Sequence, residues 1–441
     1  MLTALGAFYV VLLLAVMAYI KWRLGLRVTG RAALLGWMWV VCGPPHVYYW
    51  LAGKLSEAAF IRITLSFSLM WIAFIVTLEV MRLTAPWQYR RADRVAVLWR
   101  HMSVAPSYIT KTRLTAICAV GLAFMLYVAV TEHQIGNVIR FIRLQGQTAD
   151  IAIFRGTMGG SQIYLYNLFL AGIAPFFSLL LLLRPAPRLN LYAALRYAFI
   201  AFTLLGKLAL FSRSSGALFV VELLVVKALL RDNRITLKRV GGGMLLVLLL
   251  VFPLFYHYRP DLREIFKYFF DRITLALYYG MIPYFEYVPD VVPHAMGRNI
   301  RVLNLLLYHG EDYVPPMLVF ALQAGNYYGV FNGGFVAEAW ADFSYAGVLA
   351  TSVVLAVSAA LADLTIFSDG VKTRESAAIL VCVVYGVLNA SSTAAQTAML
   401  SGGLALVPLM AAFLKATRPR VRPAPDEGPA PGSLTESPAR P

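Results

Sequence analysis

Long apolar runs alternate with short charged connections along this chain. Many windows of about 18–20 residues carry almost no charge, and a helix of that length crosses a ~30 Å hydrocarbon core. The pattern predicts spans near 2–20, 33–52, 58–81, 114–131, 161–183, 191–211, 216–230, 240–256, 343–362, 376–393 and 398–414. One long interruption, 257–342, breaks the alternation. It carries Arg259, Arg263, Lys267, Arg272, Arg298 and Arg301, with His257, His294, His309 and many tyrosines. The expected fold is all-α: a polytopic transmembrane helical bundle of about 11 spans with one long external loop. Residues 1–414 form the membrane domain and 415–441 a cytoplasmic tail.

Composition agrees with that class. The chain is 60% hydrophobic and 14% charged, against roughly 25% charged for a soluble domain. The net charge of +17 invites a nucleic-acid reading. Its distribution argues instead for the positive-inside rule. With 21–32 placed in the cytoplasm, the cytoplasmic pieces hold 24 of the 39 Lys and Arg, and the external pieces hold 11. The connection 82–113 alone has Arg82, Arg90, Arg91, Arg94, Arg100, Lys111 and Arg113. The basic excess therefore orients the protein and contacts anionic lipid, and no nucleic acid is expected. This puts the N-terminus outside, the C-terminus inside and 257–342 outside. Span 2–20 lacks a basic n-region and a cleavage site, so it is read as a retained helix.

Cys42, Cys118 and Cys382 all fall in spans and have no metal-ligand spacing, so they are read as packing residues. From Lys415 the composition turns to Arg, Pro, Gly, Ser and Glu, which cannot bury a core, and disorder is expected. Gly43-Pro44-Pro45, Pro175 and Gly241-Gly242-Gly243 mark kinks or close-packing points. In the long loop, Leu262 to Ile282 reads as an amphipathic helix ended by Pro283, Pro289 and Pro293. Pro315-Pro316 starts a second apolar stretch, Met317 to Leu322, too short to span. The external segment 132–160 has a basic-apolar stretch, Ile139 to Leu144, suited to the interface.

The chain has no Walker A loop, no nucleophile elbow, no HExxH and no CxxC, which argues against an ATPase, a zinc protease or a redox enzyme. Charges deep in the spans are sparse, so a proton or ion relay has little support. What remains is an external set of arginines, carboxylates and aromatics. The planar fork of Arg suits diphosphate, aromatic faces suit sugar rings, and a carboxylate or neutral His can take a hydroxyl proton. Arg213 lies in the tight turn Phe211-Ser212-Arg213-Ser214-Ser215-Gly216, and a snorkelling arginine is its bland alternative. Arg272 precedes the tyrosine-rich run holding Tyr279 and Tyr284; a salt bridge with Asp271 is its alternative. Arg298, Arg301 and Arg155 read as secondary phosphate contacts or as surface charge. His309 is a candidate base or an incidental loop histidine. Glu338 and Asp342 share one helix face after Asn332-Gly333-Gly334, where dipole stabilisation is the alternative.

These residues resemble the bacterial oligosaccharide repeat-unit polymerases, the Wzy-type O-antigen and exopolysaccharide polymerases, over roughly 200–360. The resemblance rests on Ser212-Arg213-Ser214-Ser215-Gly216, on Arg272 through Tyr287, and on Asn332-Gly333-Gly334-Phe335 with Glu338 and Phe343-Ser344-Tyr345-Ala346-Gly347. It departs where Ser214-Ser215 follow the arginine, at Ala337 and at Ser344. It implies a GT-C-like glycosyltransferase of the inner membrane, needing no metal and no cofactor. Such an enzyme joins undecaprenyl-diphosphate-linked oligosaccharide repeats at the outer face, with a flippase and a chain-length regulator as further partners. Arg213 and Arg272 would hold the donor diphosphate, and His309 or Glu338 would serve as base. Arg298, Arg301 and Arg155 would be secondary contacts, and Tyr279 and Tyr284 would bind substrate. An O-antigen ligase shares the chemistry and differs in acceptor. A transporter or lipid-glycan flippase is the alternative from another class.

Overall fold

The computed structural model describes residues 2–136 apart from 26, then 164–185, 191–209, 213–234, 275–309, 315–325 and 333–417, together with 139, 242, 245 and 263. Among these residues the chain is helical, with only two isolated β-bridges and no strand. Six helices among the described residues are long and apolar enough to cross a membrane, so the protein is a multi-pass helical membrane protein. The predicted eighth span, apart from 242 and 245, and the tail from 418 lie outside the described residues.

In chain order the helices are α1 (Leu2–Tyr19), α2 (Gly30–Leu51), α3 (Glu57–Thr84), α4 (Pro86–Leu98), α5 (Lys111–Thr131), α6 (Tyr164–Leu168) and α7 (Ala174–Leu183). They continue with α8 (Leu191–Ala209), α9 (Arg213–Arg231), α10 (Ala276–Tyr287), α11 (Arg301–Leu307), α12 (Pro315–Ala324) and α13 (Gly334–Phe367). The last are α14 (Arg374–Ala390), α15 (Ala395–Met399) and α16 (Leu406–Ala416). A π turn, Phe169–Ile173, joins α6 to α7 just before Pro175, whose missing N–H breaks the regular ladder. Helix α13 is the centre: it packs on α2, α3, α4, α10 and α14. Helices α5, α7, α8 and α9 form a second group, joined to the first through α14.

Two expectations are corrected. Pro283 does not end the loop helix, because α10 runs through it to Tyr287. A single proline removes one hydrogen bond, and the packing of α10 on α3 and α13 outweighs that loss. The stretch predicted as a span over 398–414 is broken. Gly403 takes φ +81°, and Leu404 N–H and Gly402 N–H turn back to Ala398 O and Thr397 O at 3.3 and 2.7 Å. Within the connection 82–113, α4 buries Tyr89, Ala92, Val95 and Ala96 and leaves Arg90 and Arg91 largely outward.

The basic connections gather at one end of the bundle. Arg27 Nη1 donates to Ala96 O and Val97 O at 3.2 and 3.0 Å. Arg91 reaches Asp369 O at 2.8 Å, and Lys372 Nζ, across the ring of Trp99, donates to Trp99 O at 2.9 Å. Lys372 is buried outside the spans, and burial lowers its ammonium below the usual lysine value, with Asp232 opposing. The most buried of these contacts is Arg31 Nε on Asp363 Oδ2 at 2.7 Å. Asp363 also accepts Gly30 N–H at 2.5 Å and Arg31 N–H at 3.2 Å, so one carboxylate of α13 caps the start of α2. Segments predicted to share a side, such as 21–32, 82–113, 231–234 and 363–375, do meet at this end.

Candidate functional site

The opposite end is built on a break in α13. Phe343 (φ −135°, ψ 25°) and Ser344 (φ 55°, ψ −144°) leave the helical region, so the first nine residues of α13 form a separate segment. The break releases two carbonyls from the ladder. Ala341 O and Asp342 O accept Ala295 N–H at 2.8 Å and Met296 N–H at 3.0 Å, which docks the loop 288–300 on the segment. Trp340 Nε1 fixes the same loop through Val288 O at 3.2 Å. Arg62 of α3 clamps it from the other side, on Phe285 O and both oxygens of Asp290, each at 2.9 Å.

Every residue from Gly334 to Asp342 is buried, although only one face of so short a segment carries carboxylates. Gly334 starts it at φ +61°, where a Cβ would meet Ser391 O at 2.5 Å, so glycine is required. Gly333 lies against Tyr284, whose ring would be 2.6 Å from a Cβ there. Glu338 and Asp342, one turn apart, face a small cleft lined by Ile300, Phe335, Phe343, Thr351, Ala395 and Gln396. Its volume is about 30 Å³, room for a water molecule. Asn299 Nδ2 donates to Glu338 Oε2 at a long 3.4 Å. Asp342 Oδ1 is buried with no hydrogen-bond partner. The Asp342 carboxylate takes backbone N–H donors from Asn299 and Gly297, which leaves Oδ1 open to the cleft. A buried carboxylate oxygen with no donor, beside a second carboxylate, is suited to accept a proton from a hydroxyl.

The predicted site residues divide. Glu338, Tyr284 and Asp342 come together, and Asn299 brings the backbone of its neighbour Arg298 to them. Arg298 itself stacks on Tyr308 at 4.7 Å, and its carbonyl accepts Asn304 Nδ2 at 2.8 Å. His309 is exposed on the turn after α11, at φ 53°, and does not line the cleft. Tyr279 is exposed on another face of α10 and accepts Gln323 Nε2 at 3.0 Å. Arg213 and Arg301 open α9 and α11, and their side chains lie outside the described residues. Arg155 and Arg272 lie outside them entirely. The N-terminus of α9 is at the cleft end of the bundle, because its C-terminal Arg231 is at the basic end.

Two groups escaped the sequence reading. Asn299 and Gln396 carry no motif; only tertiary contact places them here. His46, just after Pro44-Pro45 in α2, is fully buried near this end, with Nδ1 2.7 Å from Tyr278 Oη and Nε2 2.8 Å from Thr64 Oγ1. Its ring stacks on Phe60 and meets Tyr9 and Phe67 edge-on, so it ties α1, α2, α3 and α10 into one aromatic layer. Glu286, half-buried on α10 outside the spans, has its carboxyl raised by that burial. Among the described residues no group of three His, Cys, Asp or Glu side chains could hold a metal ion. Comparison with protein-family models, with curated proteins and with solved structures finds no match.

Proposed function

We propose that this chain is a polymerase of lipid-linked oligosaccharides, working at the Glu338–Asp342 cleft on the outer face of a bacterial inner membrane. The observation that carries the reading is the buried carboxylate pair lining a cleft at the end of the bundle opposite the basic connections. By the positive-inside rule the basic end is cytoplasmic, which puts the cleft outside and the N-terminus with it. No ATP is available there, so the substrate must arrive activated, and a lipid diphosphate is such a substrate. The full fold in this reading has about 11 spans and is GT-C-like.

Chemically, an acceptor sugar hydroxyl loses its proton to Glu338 or Asp342 and attacks the anomeric carbon of the donor glycan. The C–O bond to the diphosphate breaks, and the lipid diphosphate leaves with the electron pair. Arg213 and Arg272 stabilise the charge on that leaving group, which therefore needs no proton. Tyr284 packs behind the cleft against Gly333, and Asn299 holds Glu338 in place.

The test is polymerisation of purified lipid-linked repeats by the full chain in proteoliposomes, read as glycan ladders on a gel. Glu338→Gln and Asp342→Asn should each lower the rate by about 10²–10⁴, the usual worth of a positioned base. Arg213→Ala and Arg272→Ala should do the same without loss of folded protein. Folded variants at both carboxylates that polymerise at the wild-type rate would sink the proposal. Accumulation of long unattached glycan on loss of the protein, in place of single repeats, would make it a ligase.

A further inference from the structure

The sequence shows few charges deep in the spans, yet the tertiary structure lines up several polar groups on one buried face. On α8, Tyr192, Arg196, Thr203 and Lys207 are all buried. At 100° per residue they fall within roughly 60° of one another around the helix, over roughly 22 Å of its length. They do not face lipid: α8 turns this side toward α5, α7 and α9. Arg196 Nη1 donates to Arg184 O at 3.3 Å near the basic end. One turn above the middle, Ser178 Oγ of α7 donates to Thr203 Oγ1 at 3.4 Å.

At the far end of the line stands Glu222, midway along α9. It is 5% exposed, and neither carboxylate oxygen has a hydrogen-bond partner. It is within electrostatic reach of Lys207, yet no ion pair forms between them. The Lys207 ammonium lies instead over the rings of Tyr385 at 4.8 Å and Phe219 at 5.7 Å. The groups facing Glu222 are Lys207 from α8 and Cys382 from α14; α7 carries no ionisable residue within its bounds. Tyr192 Oη and Arg196 Nε, lower on the line, likewise have no hydrogen-bond partner. Between them Ser178 and Thr203 are bonded to one another, and Thr203 Oγ1 donates to Phe199 O at 2.8 Å. Buried polar atoms are almost always paired, so the unpaired Glu222 carboxylate inside an apolar bundle marks a place that water or a proton occupies.

We propose that Glu222 is an intramembrane proton-binding site at the closed end of a polar path along α8, open to the basic end of the bundle. Arg196 forms the mouth of the path, at headgroup depth. Protons pass along water beside Ser178 and Thr203. The step forms one O–H bond on Glu222 and changes nothing else; release returns the proton by the same route. The Lys207 side chain, packed against the rings of Phe219 and Tyr385, fills the path on the side toward the cleft and closes it there. The protein thus senses protons from the basic side without leaking them across. This site is independent of the cleft chemistry proposed above.

Infrared difference spectroscopy on the full chain in proteoliposomes tests this. Wild type should show the C=O band of a protonated carboxyl, and the band should shift when the buffer is changed to D₂O. Glu222→Gln should remove that band, while Glu222→Asp should keep one at a displaced frequency. Thr203→Val should leave the band and slow its shift in D₂O. A wild type with no such band, or a band that survives Glu222→Gln, overturns the site. A shift whose rate ignores Thr203→Val overturns the path. Thiol labelling of the three buried cysteines, Cys42, Cys118 and Cys382, reports that each variant is folded. Polymerisation assays on the same samples keep the two proposals separate.

Discussion

Replacing Asp363 by Ala is the sharpest perturbation of this bundle. The carboxylate is fully buried and takes three donors: Arg31 Nε at 2.7 Å, Gly30 N–H at 2.5 Å and Arg31 N–H at 3.2 Å. Its loss leaves the Arg31 side chain, 5% exposed, with the Tyr89 ring and Asp93, which is itself 47% exposed. Breaking a buried pair from one side costs about 3–5 kcal/mol, because a charge remains with too little to offset its lost water. The bared first N–H groups of α2 add about 1 kcal/mol. A loss of roughly 5 kcal/mol raises the unfolded population by several thousandfold. The assay is the rate of thiol labelling at Cys42, Cys118 and Cys382, all buried, under conditions where reclosing outruns labelling. The paired replacement Arg31→Met with Asp363→Leu removes both charges and should recover most of the loss, leaving the cap deficit of about 1 kcal/mol. Labelling of Asp363→Ala within a few fold of wild type would refute the reasoning, as would a double variant no better than the single one.

Further expectations follow from the same contacts. His46→Leu strands Tyr278 Oη and should destabilise by about 1–3 kcal/mol, read by the same labelling, whereas Thr64 keeps its bond to Phe60 O at 2.6 Å. Gly334→Ala forces a Cβ onto Ser391 O and a side chain into φ +61°; it should cost about 1–3 kcal/mol and abolish polymerisation. Asn299→Ala should lower polymerisation less than Glu338→Gln does, because Asn299 holds the carboxylate and does not react. Lys372 contributes a pH dependence: with its folded-state value lowered, the unfolded chain binds more protons just below the ordinary lysine range. Stability should therefore rise with pH through that window, and Lys372→Met should flatten the rise in a denaturation series.

The apolar alternation was enough to give the membrane class and most helix positions. α3 (Glu57–Thr84) and α5 (Lys111–Thr131) include the stretches expected at 58–81 and 114–131, because a run of apolar residues in lipid has only the helix in which to satisfy its backbone. The connections that the charge count put on one side, 21–32, 82–113, 231–234 and 363–375, meet at one end of the bundle, since connections that alternate along the chain must alternate in space. Glu338 with Asp342 was legible as a pair from their spacing alone. Proline and glycine misled in both directions. Pro283 was tolerated inside α10 because tertiary packing held the helix, while Gly402-Gly403 broke a stretch whose hydropathy reads as continuous.

What the tertiary structure alone decided is which polar groups share a space. Asn299 reaches Glu338 only because a break at Phe343-Ser344 frees two carbonyls to dock its loop. Lys207 and Glu222 lie on different helices, and nothing in their local sequence says that they face one another. Hydropathy is a local sum and reports how a segment meets lipid. The meeting of two side chains depends on the rotation and register of packed helices, which many distant contacts set together.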